Sequence, residues 1–356
     1  MNTIPHHNTW SLLLLMLFIC TNFAWGEPQE AIRKKEFNQS YAARPGNQLA
    51  IENKYGNITI THWQKDEIAI RVVVEAKARS EAQAQKMLER IDITLKKSGS
   101  VVLGATEIHA SDGNNGSFSI NYYVSMPTWI DLNLHQKYGN ILLPKENNKG
   151  KCLLEVKYGN IEGGTFTQPL EVEAKYSNVS LGKLTTGNLL LGYSGKTTIA
   201  QAENLHIDSK YSNLEIGEVG TLMLDKKYGQ IHIRKVNNLQ VDMKYSNMTV
   251  EQLDRQLTCT ELGYGNLDIT KVASTFASIE VESHYGNLYL GIPLKASFKL
   301  KAEDMEYGDC EISSKFNKTH YEVNDDSAYY EVNHGRDGVI EFDGGGYGHI
   351  TVGALE

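Results

Sequence analysis

The residues with the clearest potential for chemistry are acids that recur at a regular spacing along the middle of the chain. We define the acid row as Glu155, Glu173, Asp208, Asp225 and Asp242. Two neighbouring carboxylates can act as general acid and base when an apolar pocket raises the pKa of one of them. A lysine stands two residues after each acid, and we define the lysine row as Lys157, Lys175, Lys210, Lys227 and Lys244. Because no apolar pocket is indicated, we interpret the acids as ion-pair partners of the lysines.

The lysine row has a second interpretation, as a basic stripe that faces a glycan. Ion pairs between neighbouring strands would leave this face of the protein close to neutral. A lysine row without partners would instead attract an anionic polymer. The sequence favours the ion-paired surface, and the glycan-facing stripe is kept as an alternative.

Sequence motifs of known chemistry are missing. The chain has no His-Glu-x-x-His, Gly-x-Ser-x-Gly, P-loop or EF-hand pattern. The loop 111–116 offers Asp112 and Asn114, which is one carboxylate and too few for a calcium site. The glycine-rich segment 344–348 lacks the strand–helix context that dinucleotide binding requires. We therefore predict no catalytic residue, no cofactor and no metal ion.

A tyrosine repeat defines the elements that position these rows. A Lys-Tyr-Gly/Ser-Asn tetrapeptide, or a close variant, recurs along the chain, and the tyrosines from Tyr158 to Tyr245 are 17 or 18 residues apart. Before each tyrosine, apolar and polar residues alternate, as in Leu170, Val172 and Ala174, which indicates a half-buried strand. A second alternation follows each tyrosine. Such short units bury apolar surface only by stacking, so the sequence predicts an all-β protein, a parallel β-helix or solenoid of about 17–20 residues per rung.

Equivalent positions of a solenoid form columns along its axis. The tyrosines are expected to continue the inward alternation and to stack as a partly buried ladder, which includes Tyr158, Tyr176, Tyr211, Tyr228 and Tyr245. The asparagines are expected at the corner, in the left-handed backbone conformation, with side-chain amides bonded along the column; they include Asn160, Asn178, Asn213 and Asn247. Cys152, Cys259 and Cys310 fall at core positions on different rungs, so we expect small apolar residues and not disulfides.

The pattern divides the chain into five segments. We predict a signal peptide at 1–26, a linker at 27–45, and an N-terminal strand and capping subdomain at 46–130 with a helix near 80–90. Solenoid repeats are predicted at 131–312. A C-terminal rung and cap are predicted at 313–356, where Tyr330 and Tyr347 are again 17 residues apart.

The N-terminal segment predicts export. Residues 12–20 form an apolar run, and Ala24-Trp25-Gly26 is a small-x-small cleavage pattern. Two alternatives stay open, an uncleaved anchor and lipidation at Cys20. No second apolar run is long enough to span a bilayer, so the mature chain is predicted to lack a transmembrane span. The expected location is the periplasm, the outer membrane surface or the extracellular space.

The order of these features resembles the bacterial putative-adhesin domains of unknown function, an exported β-solenoid family related to auto-transporter-adhesin-like head domains. The resemblance rests on the signal peptide, the Tyr-Gly-Asn-Ile repeats, the helix after the first strands, and the segment 122–127 that leads into Ile130-Asp-Leu-Asn-Leu. It implies a right-handed β-helix-like fold, export to the envelope or surface, and an adhesive or structural role. It implies no catalytic motif.

Composition and rung length narrow the functional classes. With 356 residues, 41% hydrophobic, the chain can form a sizeable core, and its net charge of −8 argues against nucleic-acid binding. We predict a noncatalytic envelope or cell-surface protein whose partner is a surface polysaccharide or another envelope protein. The alternatives are a glycan or envelope-polymer binding module and a carbohydrate-active β-helix enzyme. The enzyme is disfavoured because these short, uniform rungs lack the protruding loops that build a cleft.

Overall fold

The structure is a computed structural model that describes residues 30–110 and 116–356. The predicted signal peptide 1–26, Cys20 and the residues Asp112 and Asn114 lie outside the described residues. Almost all regular structure in the described ranges is β-strand, and the strands join into one long sheet. The prediction of an all-β solenoid is therefore confirmed.

The N-terminal part contains seven strands and a short helix. These are β1 (Ala31–Ala42), β2 (Gln48–Lys54), β3 (Ile58–His62), β4 (Glu67–Ala78), α1 (Glu81–Leu88), β5 (Ile91–Ser98), β6 (Val101–Ile108) and β7 (Gly116–Met126). The Ser80 hydroxyl accepts a hydrogen bond from the backbone N–H of Gln83 and caps the N-terminus of α1. The domain boundaries themselves stay a prediction.

The repeat region and the C-terminal part contain the remaining strands. The repeat region has β8 (Asp131–Lys137), β9 (Ile141–Leu142), β10 (Cys152–Lys157), β11 (Asn160–Gly163), β12 (Leu170–Lys175), β13 (Asn178–Gly192), β14 (Lys196–Lys210), β15 (Asn213–Gly263), β16 (Asn266–Ile269), β17 (Ser278–His284) and β18 (Asn287–Pro293). The C-terminal part has β19 (Phe298–Glu303), β20 (Cys310–Ile312), β21 (Lys318–Val323), β22 (Ala328–Val332), β23 (Gly338–Asp343) and β24 (His349–Leu355).

Each rung has a first strand segment before its tyrosine and a second segment after it. The strands β13, β14 and β15 each run through more than one such segment, and β15 contains Tyr228 and Tyr245. The first strands β8, β10 and β12 pair in parallel with equivalent residues opposite each other, so that Leu154 faces Leu134 and Val172. The second strands β9, β11 and β13 pair in the same way. Because the register of these strands does not slip, every inward residue of one rung lies beside an inward residue of the next. A register shift occurs in the pairing of β15 with β17, between Cys259 and Leu262. The inward side chains form one continuous buried core.

The N-terminal end is covered by additional strands, and the sequence did not predict one of them, β1. Residues 27–45 were predicted as a linker, but β1 pairs antiparallel with β4 over its whole length. Most side chains on both faces of β1 are exposed, so its sequence lacks the alternation of apolar and polar residues that predicts a strand. Strands β6 and β7 form an outer rung parallel to β2 and β3, and β5 and β4 add antiparallel strands to that rung.

The C-terminal rung lies in a position that chain order does not suggest. Strand β23 pairs in parallel with both β17 and β19, and β24 pairs with both β18 and β20. The last rung of the chain is therefore inserted between two earlier rungs. Tyr330, expected to mark a rung with Tyr347, instead lies on β22, antiparallel to β19, with its side chain buried. The spacing to Tyr347 is coincidental because β21 and β22 form a hairpin that covers the end of the core.

Candidate functional site

Twelve tyrosine rings form a single stack along one corner of the solenoid. Neighbouring ring centroids are 4.6–5.2 Å apart with nearly parallel planes. The order follows the rungs in space: Tyr55, Tyr138, Tyr158, Tyr176, Tyr193, Tyr211, Tyr228, Tyr245, Tyr264, Tyr285, Tyr347 and Tyr307. The edge of Phe118 contacts Tyr55 at one end of the stack. The stack therefore continues from rung to rung without a break between Tyr55 and Tyr307.

The tyrosines lie outside the core, in contrast to the sequence interpretation. Each ring is 40–60% exposed. Ten of the twelve have a left-handed backbone, with φ between 50° and 62°, whereas Asn160, Asn178, Asn213 and Asn247 are not among the residues of positive φ. The chain turns at the tyrosine itself, so the last inward residue stands two positions before it, as Ala174 does before Tyr176. The left-handed conformation costs about 1 kcal/mol for a residue with a Cβ, and stacking of about 0.5–1.5 kcal/mol per pair offsets this cost.

The asparagines begin the second strands and bond along the column. The Oδ1 atom of Asn160 accepts hydrogen bonds from the backbone N–H and the Nδ2 of Asn178, at 3.3 and 3.0 Å. Asn160 in turn donates from both groups to Oδ1 of Asn140. Asn213 and Asn247 accept from the backbone N–H groups of Gln230 and Asn266. Each side chain thus continues the backbone ladder across the corner, which fixes the corner geometry from rung to rung.

The corner carbonyl groups are satisfied by polar side chains that point inward. In Tyr-Ser rungs the serine hydroxyl donates to the carbonyl two residues earlier, as Ser177 does to Lys175 at 2.7 Å. In the rung of Tyr228 the next residue is Gly229, and the ammonium group of Lys226 bonds to other carbonyl groups of the corner. Its Nζ donates to the carbonyl oxygens of Ser212 and Tyr228, at 2.5 and 3.0 Å. Burial of Lys226 lowers its pKa from 10.5 to about 8.

The sequence reasoning missed Lys226, although a signal was present. Two lysines in succession precede Tyr228, and the period-two alternation places the first of them inward. Gly229 has φ of +140°, and a Cβ there would lie 2.3 Å from the carbonyl oxygen of Ser212. A side chain at this position would therefore require the backbone to shift, and the Lys226 ammonium supplies the donor at this corner.

The lysine row lies beside the tyrosine stack, at the ends of the first strands. Lys175 contacts Glu173 at 2.5 Å, and Lys244 pairs with Glu261 of the neighbouring rung. These carboxylates raise the pKa of both lysines. The Lys157 ammonium lies 5.6 Å from the Tyr158 ring centroid. Among the described residues, Lys157, Lys210 and Lys227 have no carboxylate within ion-pair distance, so the expected ion-pair lattice is incomplete.

The three described cysteines are free and have little nucleophilic character. Cys152 and Cys259 are buried and Cys310 is half-buried. Desolvation raises the pKa of the thiols to about 12, 12 and 11, respectively. Within residues 30–110 and 116–356, no group of three or more His, Cys, Asp or Glu side chains is arranged to hold a metal ion. No helix in these ranges has the length and apolar character needed to cross a membrane.

The fold and its corner columns define a β-solenoid protein with an exposed aromatic stack. The chain belongs to the Toastrack DUF4097 family, whose model matches residues 46–337. This match ends just before the inserted rung of β23 and β24. A comparison with curated proteins finds no match.

Several solved structures are similar to the chain at low identity. A "putative cell adhesion protein from Clostridium sporogenes" is 11% identical, with 90% of this chain and 97% of that chain covered and a TM-score of 0.17. A "putative adhesin from Parabacteroides merdae" is 10% identical, with coverage of 72% and 92% and a TM-score of 0.33. A "Putative lipid binding protein from Parabacteroides distasonis" is 8% identical, with coverage of 91% and 97% and a TM-score of 0.26.

Proposed function

We propose that the protein is a noncatalytic, exported envelope or cell-surface protein with a structural or adhesive role. The observation that carries this proposal is the uninterrupted tyrosine stack over twelve rungs. A column of this length stiffens the rod and presents a surface that repeats every rung, which suits contact with a polymer or with a cell surface. Export is proposed from the apolar run and cleavage pattern of residues 1–26.

An adhesion assay tests this role. The purified chain, immobilised on a surface, is expected to retain cells or isolated envelope material of the producing bacterium, and to release no sugar from any polysaccharide incubated with it. Measurable release of reducing ends, dependent on this protein, would refute the noncatalytic assignment. A surface that retains no more cells than an albumin-coated surface would refute the adhesive role.

A second candidate function is binding of an anionic glycan along the lysine row. It is favoured by Lys157, Lys210 and Lys227, whose ammonium groups have no carboxylate partner among the described residues. Unneutralised cations on one face of the protein attract a polyanion. The candidate partners stay a surface polysaccharide or another envelope protein.

Two variants that lose the same number of charges distinguish glycan binding at the lysine row from general electrostatic attraction between the protein and the glycan. Replacement of Lys157, Lys175, Lys210 and Lys227 by Ala together is expected to abolish binding to the anionic glycan. The control replaces four exposed lysines that lie away from the tyrosine corner, namely Lys149, Lys151, Lys183 and Lys271, and is expected to retain binding. Equal loss in both variants, or no loss in either, would contradict a glycan site on this row.

A further inference from the structure

One rung interrupts both surface rows on the outer face of the first strands. At the position of the acid row, this rung has Leu190, which lies between Glu173 and Asp208 in the register of the sheet. At the position of the lysine row it has Gly192, between Lys175 and Lys210. A Cβ on Gly192 would meet only the Lys175 Cγ at 3.6 Å, and its backbone is not left-handed. Neither conformation nor packing therefore requires glycine here.

The interruption lies beside a groove of about 490 Å³. The exposed side chains of Leu153 and Leu190 line it, 40% and 44% accessible, and the rungs on either side of Leu190 have Glu173 and Asp208 at its position. This volume falls within the range of small-molecule sites. Two exposed leucines that line one groove indicate surface that a ligand would cover.

The carboxylates of the groove favour a positively charged ligand. Four carboxylates line the groove, and two of them are already engaged, because Glu155 contacts His135 at 2.8 Å and Glu173 contacts Lys175. Glu171 has no ion pair or hydrogen bond among the described residues. Asp208 has a buried Oδ1 that accepts no hydrogen bond within the described part of the chain. A buried carboxylate oxygen without a partner is unfavourable, and a bound cation would relieve this.

The two free carboxylates lie on opposite sides of Leu190. Glu171 is on β12 and Asp208 on β14, two strands apart and two residues apart along the register, which separates their Cα atoms by about 12 Å. We propose that this groove binds an aliphatic diammonium ligand, with one amine at each carboxylate and an unbranched alkyl chain across Leu190. Since each side chain can extend toward the other, a chain of about six carbons spans the gap.

Calorimetric titration of the full chain with 1,6-diaminohexane at low ionic strength tests the proposal. Saturable binding with one site is expected, and Asp208→Asn and Glu171→Gln should each weaken it by about tenfold, the loss of one charge-assisted contact. Leu190→Asn, which removes the apolar contact without adding a charge, and Gly192→Lys, which restores the lysine row, should also weaken it. The matched control Asp242→Asn, in the same acid row but outside the groove, should bind as the wild type does. Thermal unfolding checks that every variant is folded.

Four outcomes would overturn the proposal. The first is that the diamine shows no saturable binding, and the second is that Asp242→Asn weakens diamine binding as much as the groove variants do. The third is that 1-hexylamine binds as tightly as the diamine. The fourth is that a lysine-containing peptide binds and the diamine does not. The third would show that only one carboxylate is used. The fourth would assign the groove to a protein partner. None of these outcomes bears on the adhesive role or on the lysine row.

Discussion

The buried ammonium of Lys226 makes the stability of the solenoid depend on pH in a defined way. Its pKa falls from 10.5 to about 8 on folding, because burial removes its hydration while no carboxylate compensates. Between these values the unfolded chain binds a proton at this residue and the folded chain does not. Unfolding free energy therefore rises with pH from about 8 to 10.5. The size of this contribution is about 3 kcal/mol over the full range.

The variant Lys226→Met isolates this contribution from all other titrating groups. It removes the donor to the carbonyls of Ser212 and Tyr228, and leaving these groups unsatisfied costs about 1–3 kcal/mol. It also removes the penalty of burying a charge. The difference in unfolding free energy between wild type and variant should therefore shift in favour of the wild type as pH rises above 8.

Denaturant unfolding followed by circular dichroism, at several pH values from 7 to 10.5, measures this difference. The wild type is expected to gain up to about 3 kcal/mol relative to Lys226→Met over this range. The exposed neighbour Lys227→Met, which loses the same charge without touching the corner, is the control. A difference between wild type and Lys226→Met that stays constant over the whole pH range would refute the reasoning.

Three further predictions concern the tyrosine stack, a buried thiol and the C-terminal rung. Tyr211→Ala removes stacking contacts of 4.9 and 4.7 Å to its two neighbours and should lower the unfolding free energy, measured by urea unfolding, by about 1–3 kcal/mol. Tyr307→Ala loses one contact at the end of the stack and should lower it by about half as much. Native Cys152 should resist iodoacetamide at pH 8, since the pKa of its thiol is about 12, and should react fully once unfolded; mass spectrometry reads the labelling. Truncation after residue 337 removes the rung that lies between β17 and β19. Limited proteolysis should then cut the truncated chain within residues 298–332 and leave these residues intact in the full chain. Equal resistance of the two chains would contradict the inserted rung.

The repeat made the solenoid predictable, because one period recurs often enough to fix rung length and register. The orientation of the tyrosines was not predictable from alternation. Alternation describes an extended strand, and the chain leaves the extended conformation at the tyrosine itself. A tyrosine in the left-handed conformation is also unusual, because its Cβ disfavours it. Only the neighbouring rungs, which supply the stacking partners, make this conformation favourable.

The two ends were harder to predict for different physical reasons. β1 exposes side chains on both faces, so its sequence reads as a polar linker until β4 is known to lie beside it. The insertion of β23 between β17 and β19 depends on which strand edges are free in space, and chain order carries no such information. The groove beside Leu190 was not predictable for the same reason, because it becomes recognisable only when the rung of Leu190 is known to lie between the rungs of Glu173 and Asp208.

The location of the protein in the cell tests most directly whether it is an exported envelope protein. Cells that produce the full chain with a C-terminal tag are fractionated, and the N-terminus of the tagged protein is determined by mass spectrometry. The protein is expected in the periplasmic, membrane-surface or extracellular fraction, with an N-terminus that follows Gly26. Recovery in the cytoplasm with residues 1–26 intact would contradict the proposed role.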